Sequence, residues 1–130
     1  MNLTEEDVAK LDAIDGRVVI GKVLEVTNHP NPEMTKVHVT KTDLGNGKIE
    51  QILCGGTNLK PGFVVAVATV GAKLPGDFEI GLRAIRGVES RGMICARAEL
   101  GLSSAGEKKG EIWPLPAQLE KFVGKPLRDL

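Results

Sequence analysis

The sequence predicts an all-β fold, most simply a small barrel with a short helix at its start. Five or six short segments rich in β-branched residues are separated by glycine, proline and asparagine turn signals. Sixteen glycines in 130 residues suit a small barrel, in which the chain must turn tight corners. The length is that of about one domain.

Residues 1–16 are predicted to form an N-terminal helix and lead-in, and residues 17–130 to form the barrel domain. Thr4 is placed to cap the helix, and Asp7 follows three residues later to complete a capping box. A helix this short persists only if it docks on the rest of the protein. The apolar side chains available for docking are those of Val8, Leu11 and Ile14.

The remaining segments carry strand patterns with clear boundaries. "FVVAVATV" (63–70) is an almost continuous apolar run, which is typical of a buried central strand. "GNGK" (45–48) signals a hairpin turn, and "NHPNPEM" (28–34) predicts a loop because its prolines interrupt a strand. Gly21 predicts a bulge or bend. The other predicted strands lie in "RVVIGKVLEV", "TKVHVTKTDL", "IEQILC", "LRAIRGV" and the start of "GMICARAEL", which turns into a short helix towards Gly101.

No catalytic or metal-binding pattern is found. Cys54 and Cys95 lie 41 residues apart, which is neither a disulfide framework nor a zinc spacing, so both are predicted to be buried, reduced side chains. Neither cysteine has a partner histidine that the sequence alone places beside it. We therefore expect no catalytic residue, no metal and no cofactor. The acidic start "MNLTEEDVAK" is unlike a signal peptide, and no apolar run is long enough to span a membrane, so a cytoplasmic protein is expected.

Charge is balanced overall but not locally. The chain has 17 basic and 17 acidic side chains, so any role in binding nucleic acid must depend on a local surface. Residues 80–109 carry six basic against three acidic side chains, whereas residues 1–50 carry six against nine. From composition alone, the arginines of the basic region could equally form a solvated face paired with glutamates. Those arginines are Arg83, Arg86, Arg91 and Arg97.

Aromatic side chains are scarce. The chain has no tyrosine, one tryptophan (Trp113) and three phenylalanines (Phe63, Phe78 and Phe122), none of them in the strand pairs that would form a stacking platform. If RNA is bound, the sequence favours phosphate and shape contacts from arginine and lysine over stacking.

Three motifs together carry a family resemblance: "HPNPEMTKVHVTKTDLG", "ILCGGTNLKPGFVVAVATVGAKLPGDFEI" and "AIRGVESRGMICARAELGL". They resemble the tRNA-binding domain found near the N-terminus of bacterial phenylalanyl-tRNA synthetase β subunits, in stand-alone tRNA-binding proteins and as an appendage of methionyl-tRNA synthetases. The resemblance covers about residues 17–127. It implies a five-stranded OB-fold barrel that contacts tRNA.

The resemblance also implies which residues contact RNA. The family's Ser-x-Gly-Met signature corresponds to residues 90–93, where Ser90 and Arg91 could face a phosphate. Lys36 and His38 lie on the strand after the first loop, which often contributes to an OB-fold binding face. On that strand, Lys36, His38 and Thr40 alternate with Val37 and Val39. The expected RNA-binding residues are Lys36, His38, Arg83, Arg86, Ser90, Arg91 and Arg97.

Two functions remain open from the sequence. The first is a non-catalytic tRNA-binding module, either a domain of a phenylalanine-tRNA ligase β subunit or a stand-alone relative, which could form a homodimer. The second is a structural barrel that packs against other synthetase domains or subunits and touches RNA little. The scarcity of aromatic residues favours the second, as does Met34, which stands where the family usually has a basic residue.

Overall fold

The computed structural model describes residues 3–130, and it confirms the all-β class. One α-helix, α1 (Glu5–Leu11), precedes the strands. Of three short 3₁₀ helices, Ala98–Leu100 lies before the last strand, and Ala117–Phe122 and Leu127–Asp129 follow it. The strands are β1 (Val18–Asn28), β2 (His38–Asp43), β3 (Ile49–Cys54), β4 (Val64–Ala68), β5 (Lys73–Leu74), β6 (Phe78–Glu79), β7 (Arg83–Ile85), β8 (Val88–Ser90), β9 (Met93–Ile94) and β10 (Pro114–Leu115).

The main sheet is antiparallel and has the strand order β10-β4-β1-β2-β3, with β9 also pairing with β4. The long strand β1 pairs with β4 along its first half and with β2 along its second. Its register shifts between Val23 and Glu25, so the irregularity predicted at Gly21 lies slightly further along the strand. Gly21 is needed for close packing instead, because an added Cβ there would lie 2.9 Å from a methyl carbon of Val67.

Residues 90–94 connect β3, at one edge of the main sheet, with β4. On one side Met93 pairs with Ala68 of β4. On the other side the Arg91 N–H donates to the Gln51 carbonyl of β3 at 2.9 Å. Residues 90–94 thus link β3 to β4, as the predicted barrel with the path β1-β2-β3-(90–94)-β4 requires. Gly92, with φ of 133°, permits this approach, since a Cβ there would lie 2.9 Å from the Ala68 carbonyl oxygen.

Strand β4 is buried on both faces, as its apolar run predicts. Val64, Ala66 and Ala68 belong to one apolar cluster with α1 and the C-terminal segment. Val65 and Val67 belong to a second cluster on the opposite face, with side chains from β3 and β9. This two-sided burial makes β4 the centre of the protein.

Strand β2 is buried through its threonines. Thr40 and Thr42 are fully buried, whereas Val39 is only partly buried. The Thr40 hydroxyl donates to the Ile52 carbonyl at 2.8 Å and lies 2.8 Å from the Thr42 hydroxyl. Because both hydroxyls have partners, their burial carries no penalty for unsatisfied polar groups.

Helix α1 begins with the predicted capping box, in which the Thr4 hydroxyl accepts from the Asp7 N–H and the Asp7 carboxylate accepts from the Thr4 N–H. Docking occurs through Leu11 and Ile14, as expected, but the prediction for Val8 is wrong because its side chain is 55% exposed. The buried Asp7 occupies the inward position instead. Within residues 3–130, no helix combines the length and apolar character that crossing a bilayer requires.

Candidate nucleic-acid interface

Two of the predicted arginines lie on a short hairpin formed by β7 and β8, which we call the arginine hairpin (residues 83–90). Its two central turn residues, Arg86 and Gly87, have φ of 49° and 83°, as in the type I′ turn that suits tight hairpins. The Arg83 and Arg86 side chains are exposed, and no ion pair within residues 3–130 includes either of them. Both guanidinium groups are therefore available to an anionic ligand.

The backbone of the arginine hairpin is held on strand β3. The Gln51 side-chain amide donates to the Glu89 carbonyl at 2.8 Å. The Ser90 hydroxyl accepts from the Leu53 N–H at 2.9 Å and donates to the Gly92 carbonyl at 3.1 Å. These side-chain contacts replace a regular ladder and fix the position of the hairpin while its arginines stay solvated.

His29 joins the arginine hairpin to the first loop (residues 29–37). Its Nδ1 accepts from the Asn31 N–H at 3.0 Å, so the proton of the neutral ring lies on Nε2, which donates to the Ile85 carbonyl at 2.9 Å. The ring is buried, with 5% exposure. No local pattern in the sequence predicts a role for His29, apart from its place at the head of the proline-rich loop.

Lys36 and His38 lie near the junction of the first loop and β2. His38 begins β2 and is in register with Asn28, which precedes His29, and with Cys54 on the other side. Lys36 is exposed and lies in a turn two residues before β2, so the prediction that it lies on this strand is wrong. Asn28 and His29 thus link the start of β2 to the turn of the arginine hairpin. Three predicted residues, Lys36, His38 and Arg86, belong to the segments joined in this way.

Arg91 lies closer to the other end of β3. Its guanidinium is 3.8 Å from carboxylate oxygens of both Glu50 and Glu89, and its side chain is 52% exposed. Such exposed pairs contribute little to stability, and salt weakens them further. Arg91 is therefore a partly neutralised cation at the edge of the candidate interface.

Ser90 does not lie on the accessible surface. Its side chain is buried, with 6% exposure. Its hydroxyl accepts a hydrogen bond from the Leu53 N–H and donates one to the Gly92 carbonyl. A phosphate contact from Ser90 would break this arrangement. The serine of the family signature here positions the arginine hairpin and is not part of the contact surface.

Arg97 is also buried, with 4% exposure, and its guanidinium group contacts other residues of the chain. Its Nη2 lies 3.3 Å from the Asp7 carboxylate, its Nε donates to the Ser103 carbonyl at 2.7 Å, and its guanidinium carbon lies 5.0 Å from the centre of the Trp113 ring. The expectation that Arg97 faces RNA does not fit this placement. Arg97 instead ties α1 to the loop after β9.

The partner of Arg97 is a strongly stabilised carboxylate. Asp7 accepts hydrogen bonds from the Ser103 hydroxyl at 2.6 Å and the Ser103 N–H at 2.8 Å, in addition to its cap contact. These bonds, from Ser103 first and then from Thr4, hold the pKa of the Asp7 carboxyl well below its ordinary value, although burial acts in the opposite direction. Asp7 thus remains ionised and neutralises Arg97.

The two cysteines are free and buried, as predicted. Burial raises the pKa of the Cys95 thiol to about 12 and also raises the pKa of Cys54. Neither thiol is therefore ionised at neutral pH. A cysteine acts as a nucleophile or metal ligand only in its ionised, thiolate form. Within residues 3–130, no three or more His, Cys, Asp and Glu side chains are grouped to hold a metal ion.

Comparison with known proteins identifies related sequences. A family profile described as "Putative tRNA binding domain" matches residues 18–121. Phenylalanine–tRNA ligase beta subunits are similar to the chain: that of Pectobacterium atrosepticum is 44% identical over 112 residues (86% of this chain and 13% of the relative). Those of Sodalis glossinidius and Dickeya dadantii are 41% and 49% identical over 95% and 66% of this chain. The chain spans only 11–15% of the length of these relatives.

Proposed function

Because this chain belongs to the tRNA-binding domain family, we propose that it is a non-catalytic module that binds tRNA mainly through phosphates. The observation that carries the proposal is the arginine hairpin, in which a fixed backbone presents two solvated guanidinium groups without carboxylate partners in residues 3–130. Guanidinium groups are well suited to phosphate oxygens because they donate several hydrogen bonds in one plane.

The position of the hairpin supports the same function. OB-fold barrels bind nucleic acids on the face of strands 2 and 3 and on the loops between strands 1 and 2 and between strands 4 and 5. In this chain, the first loop connects β1 and β2, and the arginine hairpin lies between β4 and the segment 90–94. The contact surface we propose consists of Lys36, His38, Arg83 and Arg86, with Arg91 at its edge.

We also propose that the module acts within, or beside, a cytoplasmic phenylalanine–tRNA ligase, since its relatives carry that name. Other parts of the synthetase would then be its protein partners. A homodimer of a stand-alone form remains a prediction.

Affinity should depend strongly on salt. The whole chain is neutral, so no long-range field holds the ligand, and binding rests on a few local cations. With about three phosphates neutralised, the logarithm of the binding constant should fall with the logarithm of salt concentration with a slope of roughly 2–3.

The proposal is tested by reversing the charge of the arginine hairpin. We expect the Arg83→Glu/Arg86→Glu variant to lose retention of bulk tRNA in filter binding at low salt, with an unchanged melting temperature. The matched control is Lys121→Glu/Lys125→Glu, which alters two exposed lysines of the C-terminal segment by the same charge. Equal binding by the parent and the arginine variant would refute the site, and a parent that retains no tRNA would refute the function.

A structural or interaction module is the second candidate, and one observation favours it. Large apolar side chains are exposed at several places away from the arginine hairpin, including Val8, Ile49 and Val70 at 47–55% exposure. Such residues would be covered in a larger assembly. The same filter-binding measurement separates the candidates, because this module would not retain tRNA even at low salt.

A further inference from the structure

A small cavity lies between the arginine hairpin and the β5–β6 hairpin, beside β3 and residues 92–93. Its volume is about 200 Å³. The deeper wall includes Leu53 and Ile80, which are buried, and the sides include Ile85 and Met93, which are partly buried. The lining is thus mostly apolar, and the cavity opens to solvent.

Phe78 stands at this cavity with 44% of its surface exposed. In a chain with only three phenylalanines, an exposed ring is one that the core does not use. The turn before it contains Gly76 and Asp77, both with positive φ, and returns the chain so that Phe78 pairs with Leu74. The backbone at Phe78 is therefore fixed by a tight hairpin and does not belong to a free loop.

Arg83 lines the same cavity and is exposed. It has no ion-pair partner within residues 3–130. Glu79 also contributes to the cavity, but it follows Phe78 in β6, where successive side chains point to opposite faces. The cavity therefore combines an apolar floor, an aromatic ring and one cation.

This combination selects one class of ligand. A purely apolar side chain of a partner protein would not use the cation, and a phosphate alone would not use the ring. An unpaired nucleotide uses both, because its base can stack on an aromatic face or enter an apolar pocket while its phosphate meets an arginine. A base inside a duplex cannot reach such a cavity, since its faces are already stacked.

We propose that this cavity is a binding site for a single unstacked nucleobase, with Phe78 as the stacking surface and Arg83 as the contact to the adjoining phosphate. The proposal rests on the proposed tRNA-binding function and deepens it. It adds recognition of a single-stranded loop or end to the phosphate contacts, which the sequence favours over stacking. Phe78 is the residue whose position the sequence did not reveal.

The test compares two exposed phenylalanines. Phe78→Leu keeps an apolar side chain and removes the aromatic face, whereas Phe122→Leu does the same at a ring that is 37% exposed and has Lys121 Nζ 5.4 Å from its centre. The probe is a short single-stranded RNA, with the same RNA carrying one abasic position as the reference. We expect Phe78→Leu to weaken binding of the intact RNA about 5- to 150-fold, the effect of losing one stacked base. Phe122→Leu should bind as the parent does.

The salt dependence and a spectroscopic signal make the test specific. Phe78→Leu should leave the salt slope unchanged, because no charge is removed, whereas Arg83→Ala should lower it by roughly 1. In a Phe78→Trp variant, RNA should quench the new fluorescence, while the buried Trp113 gives a constant background. Parental affinity of Phe78→Leu, or no quenching in Phe78→Trp, would overturn the base site while tRNA binding through Arg83 and Arg86 stood. Loss of tRNA binding in the parent would overturn the proposed function itself.

Discussion

Arg86 and Arg97 are eleven residues apart in the sequence and have opposite surroundings in the structure. Arg86 is exposed at the turn of the arginine hairpin, without an ion-pair partner in residues 3–130. Arg97 is buried against Asp7, Ser103 and Trp113. The same side-chain chemistry therefore gives a potential ligand contact in one region and an internal cross-link in the other.

The difference shows that a count of charges along the chain does not measure a binding surface. The basic excess of residues 80–109 includes Arg97, whose charge Asp7 neutralises, and Arg91, whose charge two glutamates partly offset. The available positive charge in this region is therefore smaller than the sequence indicates. Its exposed members outside every ion pair of residues 3–130 are Arg83, Arg86, Lys108 and Lys109, of which the two arginines share the arginine hairpin.

The largest expected effect comes from breaking the internal cross-link. Arg97→Met keeps much of the side-chain volume but leaves the Asp7 carboxylate buried without its cation, and removing one partner of a buried pair is strongly destabilising. We expect the melting temperature to fall by roughly 10 °C or more. Thermal unfolding followed by circular dichroism measures this, with Arg86→Met as the control that should change little. An equal fall in melting temperature in the two variants would contradict the difference between the buried Arg97 and the exposed Arg86.

The next effect is a dependence of stability on pH. Because the folded state lowers the pKa of Asp7, the ionised carboxylate contributes stability that is fully present above its ordinary pKa of 3.8. That contribution is lost as the pH falls from there towards the lowered value. Urea denaturation between about pH 5 and pH 2 should show a decline in the parent that Asp7→Asn flattens. A decline of the same steepness in the variant would mean that other carboxylates are responsible.

The smallest effect, and the most discriminating, concerns the turn of the arginine hairpin. Arg86 has φ of 49°, a conformation that asparagine adopts more readily before glycine in a type I′ turn. We expect Arg86→Asn to raise the melting temperature by a few degrees, on the order of the gain from a better turn residue. The same substitution should weaken tRNA binding and lower the salt slope by roughly 1.

A higher melting temperature together with weaker tRNA binding would distinguish Arg86 from Arg97, whose replacement is expected to lower the melting temperature. The turn before Lys48 provides the control, because its two positions with positive φ are already occupied by the preferred residues, Asn46 and Gly47. Asn46→Arg should therefore lower the melting temperature slightly and leave tRNA binding unchanged. If Arg86→Asn bound tRNA like the parent, the turn arginine would have no role in the interface.

Elements that depend on neighbouring residues could be predicted from the sequence. The capping box of α1 joins residues three positions apart, and the "GNGK" turn is closed by the Lys48 carbonyl and the Leu44 N–H. The burial of β4 on both faces follows from its continuous apolar run, since no polar side chain is present to face water. The all-β class and the family resemblance rest on the same local patterns.

Fewer residues of the candidate site could be placed correctly from the sequence, because the site depends on contacts between distant segments. Asp7 and Arg97 are 90 residues apart, Ser90 and Leu53 are 37 apart, and His29 and Ile85 are 56 apart. Nothing in the local pattern distinguishes the buried Arg97 from the exposed Arg86. The arginine hairpin also lacks the asparagine–glycine pair that normally announces such a turn, so "LRAIRGV" indicated only one strand.

The amino-acid order alone determined the strand-rich class, the helix cap and the central strand, because hydrophobic periodicity and turn chemistry act over a few residues. The tertiary structure decided which arginines remain available and where Phe78 stands. Each of those outcomes depends on which distant carboxylate, carbonyl or apolar wall the folded chain brings within contact distance.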